Sequence, residues 1–231
     1  MSRKPREEST RPRHVTLAVL FQVRDAALQV LLWERAREPE RGAWSLPGGV
    51  LEPGETLEES IRRHLAAKVD VREVSHLEQL ATYGDPDRTP SDREVATAYL
   101  GLVQLGLDPD VPTDTCWHPV DALPRMAFDH GAIVIAGRER LRGKLSYSNA
   151  GFGLAPPSFT LGELREIYAA ALGHQVSATN LKRVLERRAV IEATGERRPS
   201  GRAGGRPAEV YRFRDRQLAI TDPFAALRPR R

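Results

Sequence analysis

The stretch "GGVLEPGETLEESIRRHLAAKVDV", Gly48–Val71, decides how the chain is read. Its apolar residues Leu57, Ile61, Leu65 and Val69 recur every four positions, the stripe of an amphipathic helix. Thr56 and Glu59 fit the Thr-x-x-Glu capping box, so the helix is predicted to begin at Thr56. Ahead of it, Pro47-Gly48-Gly49 leads towards a helix N-terminus along backbone that can approach a phosphate closely. Metal-assisted cleavage of a diphosphate needs carboxylates converging on one helix face, at i, i+3 and i+4. The second half of this helix carries no such set. Glu55, Glu58 and Glu59 have that spacing in its first turn. There the helix dipole, the capping box and the i,i+4 pairs Glu58–Arg62 and Glu59–Arg63 account for them without a metal. His64 is read as a partly exposed helix residue.

Outward from this helix, strands alternate with helical segments. "HVTLAVLFQV" and "ALQVLLWERA" read as a hairpin turning at Arg24–Asp25, and Pro39 to Pro47 as loop. "HLEQLATYG", "EVATAYLGLVQL" and a short strand in "DTCWHPVDAL" follow. "DHGAIVIAGRERLRG" is a helix expected to be capped by Asp129. Residues 14–145 are thus expected to form one mixed α and β domain behind a disordered tail, residues 1–13. "SYSNAGFGLAPPS", residues 146–158, is rich in Ser, Gly and Pro and reads as an interdomain linker. In residues 159–231 two capped helices, "TLGELREIYAAALG" and "SATNLKRVLERR", precede two short strands around "RRPSGRAGGRP". Helix, turn, helix and a basic Gly-rich hairpin make a winged helix-turn-helix.

Charge supports that division. The chain carries +4 overall, but residues 157–231 hold 15 Lys and Arg against 8 Asp and Glu, whereas the remainder holds 20 against 23. Only the C-terminal part is suited to a polyanion. No apolar run is long enough to span a bilayer and no secretory signal is visible. A single cysteine, Cys116, excludes an intramolecular disulfide; it reads as a buried strand thiol in a reducing, cytoplasmic protein.

In the second helix of the winged segment, Leu181, Val184 and Leu185 face inward, leaving Ser177, Thr179, Asn180, Lys182, Arg183 and Arg187 for DNA. Asn and Arg can read adenine and guanine bidentately, while Lys182 and Arg187 suit phosphates. Arg197, Arg198, Arg202 and Arg206 lie among the glycines of the wing, as backbone tracking requires. A basic helix alone is usually a solvated face; helix, basic wing and regional charge together favour duplex DNA. For the first domain, Arg35 and Arg41 offer charge for a diphosphate, and Trp44 a face for a base or ribose.

Two resemblances sharpen this. Gly49, Glu55, Arg63, Leu65 and Val71 stand in register with the Nudix hydrolase motif, and "WSLPGG" and "WERA" are similar to its surroundings. The motif's three helix carboxylates correspond here to His64, Ala67 and Lys68, and its Gly to Asp70. Mg²⁺ takes hard oxygen ligands, which none of the three supplies, so no metal and no catalytic residue are expected. Glu55 is still expected to orient the loop. The whole chain resembles the Nudix-related transcriptional regulators, NrtR, over residues 14–216. That resemblance rests on "AFDH" (Ala127–His130), "FTLGELREIYAAALG", Asn180 with Lys182 and Arg183, and "GRPAEVYRFR". It implies an α+β chain: a Nudix-like α/β/α sandwich followed by the winged helix. It further implies a homodimeric repressor of NAD biosynthesis genes on a pseudo-palindromic operator, released by ADP-ribose, with no cofactor and no membrane partner. The expected effector site is Arg35, Arg41, Trp44, Gly48, Gly49 and Glu55. The competing reading is an active ADP-ribose pyrophosphatase with a nucleic-acid-binding C-terminal domain, which needs Glu55, Glu58 or Glu59 to hold metal. A weaker one is an RNA-associated adaptor without a ligand.

Overall fold

The computed structural model describes residues 12–90, 93–199 and 207–222. β1 (Arg13–Arg24) and β2 (Ala27–Glu34) form the expected hairpin, with Arg24 opposite Ala27. Its two-residue turn, Asp25–Ala26, has φ of 49° and 58°, the left-handed pair whose twist suits a tight hairpin. β1 begins at Arg13, within the segment expected to be a disordered tail; residues 1–11 lie outside the described residues.

The segment expected to be loop contains β3 (Trp44–Ser45) and is followed by β4 (Gly48–Val50). These are too short for any periodic signal and exist because β2 and β1 offer them partners, Trp33 to Ser45 and Thr16 to Gly49. α1 (Leu57–Val69), β5 (His76–Tyr83), β6 (Glu94–Leu102), β7 (Thr115–Pro119) and α2 (His130–Tyr147) complete the first layer set. The sheet runs β3-β2-β1-β6-β5, with β4 beside β1 and β7 beside β2; β1 and β6 pair in parallel and the other named strands antiparallel. Alternation along β1 sends Ala18 and Leu20 towards Ile61, Leu65 and Val69 of α1. It sends Val19 and Phe21 to the opposite core, with Ile133, Val134 and Leu141 of α2. One helix on each face of the sheet gives the expected sandwich.

α1 starts as its sequence dictates. Thr56 accepts from the Glu59 amide at 3.2 Å, and the Glu59 carboxylate accepts from the Thr56 amide at 2.8 Å. Asp70 ends the helix at φ 49°, one of the few non-glycine residues that adopt this conformation readily. Glu58 pairs with Arg62 at 3.0 Å, but Glu59 does not pair with Arg63, which reaches back to Glu55 instead. Asp129 precedes α2 yet makes no side-chain cap; its carboxylate is taken by Arg88. Cys116 lies on β7 as expected but is exposed, β7 being an edge strand paired with β2 alone among the described strands.

The expected linker is not open chain. α2 runs on to Tyr147, a 3-10 turn spans Ala150–Gly153, and all four of its residues are buried. Small residues read as linker because they are flexible in isolation; here smallness is what packing requires. A Cβ on Gly151 would stand 2.6 Å from the Tyr168 hydroxyl. Asn149 fastens the turn to the C-terminal segment, donating to Gln217 O at 2.8 Å and accepting from Ala219 N at 2.7 Å.

β8 (Phe159–Thr160), α3 (Leu161–Leu172), α4 (Ala178–Arg187), β9 (Ile191–Arg198) and β10 (Ala208–Phe213) build a winged helix with strand order β8-β10-β9. Thr160 and Glu163 form a second capping box, and Gly173 closes α3 at φ 75°. Phe159, Leu164, Ile167, Leu181, Leu185, Tyr211 and Phe213 belong to the same continuous core as Val19, Phe21 and Leu141. The two regions therefore share one core through α2 and the 3-10 turn. Among the described residues no helix is long and apolar enough to cross a membrane.

Candidate functional site

Where β1, β2 and β4 meet the flank of α1, the sheet opens into a cavity of about 540 Å³. Of the six residues expected at an effector site, Arg35, Gly48 and Gly49 line this cavity; Arg41, Trp44 and Glu55 do not. Trp44 stands opposite Glu34, whereas Ser45 stands opposite Trp33. Residues paired across strands share a face, so Trp33 and Ser45 look into the cavity while Trp44 turns away. Trp44 packs instead against the core cluster that holds Ile133 and Val134 of α2, its ring edge-on to His118 with centroids 4.3 Å apart. Trp33 takes the place expected of Trp44, with its indole nitrogen donating to Leu46 O at 3.1 Å. Arg41 is exposed outside the cavity.

Glu55 acts on the loop. It accepts from Arg63 at 2.8 Å and in a second, shorter contact, and from the Glu52 amide at 3.1 Å. Its pairing with Arg63 above all holds the carboxyl down to about 2. His64 is buried, not partly exposed: its ring lies beneath Gly49 and its Nε2 is 3.0 Å from Val50 O. Since that oxygen only accepts, Nε2 carries the proton. Burial lowers the imidazole's pKa, and Arg63 and Lys68 lower it further, so the ring is neutral.

Lys68 remains exposed as a residue, yet its ammonium reaches into the cavity wall. It donates to Gly48 O at 2.6 Å and lies 5.2 Å over the Trp33 ring. Desolvation lowers its pKa first, then Arg35 and Arg63. Arg35 donates from Nε to Pro39 O at 2.9 Å, its guanidinium 4.7 Å over Phe128.

The motif "AFDH" divides its labour. Phe128 and His130 line the cavity, and Asp129 binds Arg88 through two contacts of 2.8 and 3.1 Å. Arg88, its side chain 1% exposed, also meets Glu94 at 2.5 Å. His130 accepts from the Leu46 amide at 3.1 Å, so its Nδ1 is bare. Burial, reinforced by Arg88 and Arg35, pushes it down to about 3. Phe128, His130 and Trp33 are not legible as site residues in the sequence, because tertiary pairing alone collects them.

At the other end, α4 is capped by Ser177, whose hydroxyl accepts from Asn180 N at 3.4 Å. Leu181 and Leu185 are buried, which leaves Thr179, Asn180, Arg183 and Arg187 exposed along one side. Arg183 donates to Asn180 Oδ1 at 2.8 Å. Lys182 is not part of this ridge. Its ammonium pairs with Glu186 at 3.6 Å and Glu209 at 3.9 Å, and lies 5.3 Å over Tyr211. Arg197 is exposed on β9, but Arg198 is held by Glu163 at 3.1 Å and the Ser158 hydroxyl at 2.7 Å, a structural post. Arg202 and Arg206 lie outside the described residues.

A cavity at the glycine-rich entry of α1 and an exposed cationic ridge on α4 thus sit on one core. Comparison with known proteins matches residues 12–136 to the NUDIX domain and residues 151–213 to the NrtR DNA-binding winged helix domain. The chain is 32% identical over 203 residues to an ADPR responsive transcriptional repressor NtrR of Acinetobacter baylyi, covering 84% of this chain and 79% of that protein. The chain belongs to the NrtR family. The crystal structure of Shewanella oneidensis NrtR complexed with a 27mer DNA is 32% identical, with a TM-score of 0.73 over 87% of this chain and 93% of that one. The NUDIX domain of that NrtR complexed with ADP ribose is 34% identical, with a TM-score of 0.50 over 60% of this chain and 94% of that one.

Between the two matched NrtR regions lies the second half of α2, which starts at the cavity wall with His130 and packs against α3. The three α1 positions that correspond to the metal-binding carboxylates of Nudix hydrolases carry no oxygen ligand in this NrtR-family chain. His64 donates to a carbonyl, Ala67 has no donor atom and Lys68 is a cation. Among the described residues no three His, Cys, Asp or Glu side chains converge to hold an ion.

Proposed function

We propose that this chain is a transcriptional repressor that holds duplex DNA through α4 and the β9–β10 wing and lets go when ADP-ribose fills the cavity. The observation that carries the reading is the pairing, on one continuous core, of a nucleotide-sized cavity with a helix whose outward side is Thr179, Asn180, Arg183 and Arg187. The relatives support it by name: a repressor responsive to ADPR, an NrtR bound to DNA and an NrtR NUDIX domain bound to ADP ribose.

Arg35, Gly48 and Gly49 at the cavity suit the diphosphate, and the Trp33 and Phe128 rings supply apolar wall. Ser177, Thr179, Asn180, Arg183 and Arg187 face the groove, with the exposed Arg197 available to the backbone. A homodimer presents two such helices to a pseudo-palindromic operator, in keeping with control of NAD biosynthesis genes. Ligand acts by differential affinity for two arrangements of the helices, a coupling of about 1–3 kcal/mol. In this reading no bond in the ligand is broken, because the α1 positions that correspond to the motif's carboxylates, His64, Ala67 and Lys68, offer no oxygen to hold a metal that would activate water.

A gel shift of operator DNA with an ADP-ribose titration tests the reading: the bound fraction should fall as ligand rises, and the ADP-ribose should be recovered intact. Equal shifts with and without ligand would refute the sensor. AMP appearing in the presence of Mg²⁺, and lost in Glu59→Gln, would instead establish the pyrophosphatase.

A further inference from the structure

The cavity that does not fit a divalent ion contains a cation of its own. We infer that the Lys68 ammonium, flanked by Arg35, occupies the electrostatic role of the metal and makes this cavity a metal-independent site for a nucleoside diphosphate. The inference rests on the nucleotide-sensing reading above and specifies its chemistry.

Lys68 falls on the face of α1 where the Nudix motif has a metal-binding carboxylate. From there it crosses to the Gly48 carbonyl at 2.6 Å, joining the helix to the glycine entry. An ammonium has three donors, and Gly48 O accepts only one of them. The Trp33 face beneath it, 5.2 Å away, is attractive to a cation yet supplies no counter-charge. Arg35 has the same construction: one N–H on the Pro39 carbonyl, and a ring, Phe128, 4.7 Å beneath the guanidinium. Among the described residues neither cation has a carboxylate within ion-pairing distance. This is unlike nearby Arg63, which is claimed by Glu55 and Glu52. The two histidines of the wall stay neutral and add no charge.

Two cations held on carbonyls and rings, with donors to spare at one cavity, suit a group with two adjacent negative charges. A diphosphate has that form. The same ammonium excludes Mg²⁺, since a divalent ion brought to Gly48 O meets a like charge already bound there. Exchanging a carboxylate for Lys68 would thus remove the metal and retain the anion.

Isothermal titration of the full chain with ADP-ribose, in EDTA and in excess Mg²⁺, tests this. The wild type should bind equally in both buffers. Lys68→Met should weaken binding about tenfold or more, Lys68→Arg should keep most of it, and both variants should melt close to the wild type. Binding that requires Mg²⁺ would overturn the inference, as would Lys68→Met binding like the wild type. If Lys68→Met unfolds, the EDTA comparison and Lys68→Arg still decide, the latter binding like the wild type without metal or overturning the idea by failing to. Absence of ADP-ribose binding in either buffer would take down the sensing reading itself, a result distinct from metal-dependent binding.

Discussion

The Asp129 carboxylate grips the Arg88 guanidinium through two contacts of 2.8 and 3.1 Å instead of capping the helix it precedes. Arg88 is 1% exposed at its side chain, and Glu94 is its other partner. Losing one partner leaves a buried cation short of charge. Asp129→Ser, which keeps a good capping residue, should therefore destabilise as much as Asp129→Ala. In denaturant melts both should cost about 2–4 kcal/mol, below the fully buried range because Asp129 and Glu94 remain partly wet. A neutral Asp129→Ser would restore the capping role.

Gly49 and His64 fit only each other. A Cβ on Gly49 would stand 2.5 Å from the His64 ring, whose Nε2 donates to Val50 O. Gly49→Ala should cost about 1–3 kcal/mol and weaken ADP-ribose binding, since the loop must shift. In a His64→Ala background the same change should cost much less. Chemical denaturation of the four proteins measures the coupling, and additive losses would show that the ring is not the obstacle.

His130 makes stability fall in acid. Its value of 6.5 when unfolded drops to about 3 in the fold through burial, with Arg88 and Arg35 adding to the effect. Between those values the unfolded chain binds the extra proton, so stability rises with pH through this window and levels off above about 6.5. His130→Asn keeps an acceptor for the Leu46 amide but cannot titrate. Its melting temperature should depend less steeply on pH between 4 and 6.5 than that of the wild type. An unchanged slope would assign the acid sensitivity to other groups.

Adjacent residues of α4 should differ in their use. Arg183 is exposed on the ridge with Asn180, whereas Lys182 is committed to Glu186, Glu209 and the Tyr211 ring. Arg183→Ala should weaken operator binding about tenfold or more and flatten its salt dependence, and Lys182→Ala should change it by no more than about threefold. Binding isotherms at several salt concentrations separate the two. Larger losses from Lys182→Ala would mean that it leaves its internal partners on DNA.

What the sequence determined by itself was local. Capping at Thr56 and Thr160, the four-residue stripe of α1 and the tight hairpin of β1 and β2 fix elements because each rests on neighbours a few positions away. The absence of helix carboxylates at His64, Ala67 and Lys68 was equally plain, as was the cationic side of α4. The tertiary structure decided what pairing across distance controls. Register with β2 turned Trp44 away from the cavity and brought Trp33 to it. Arg88 claimed Asp129 from 41 positions away, and β10 drew Lys182 off the ridge through Tyr211. The Ser-, Gly- and Pro-rich segment offered the composition of a linker, and packing made it the join between two halves of one core. Backbone propensity acts within a turn or two of helix. A side chain's face, burial and partner are set by whichever strand or helix arrives beside it, and that information is spread over the whole chain.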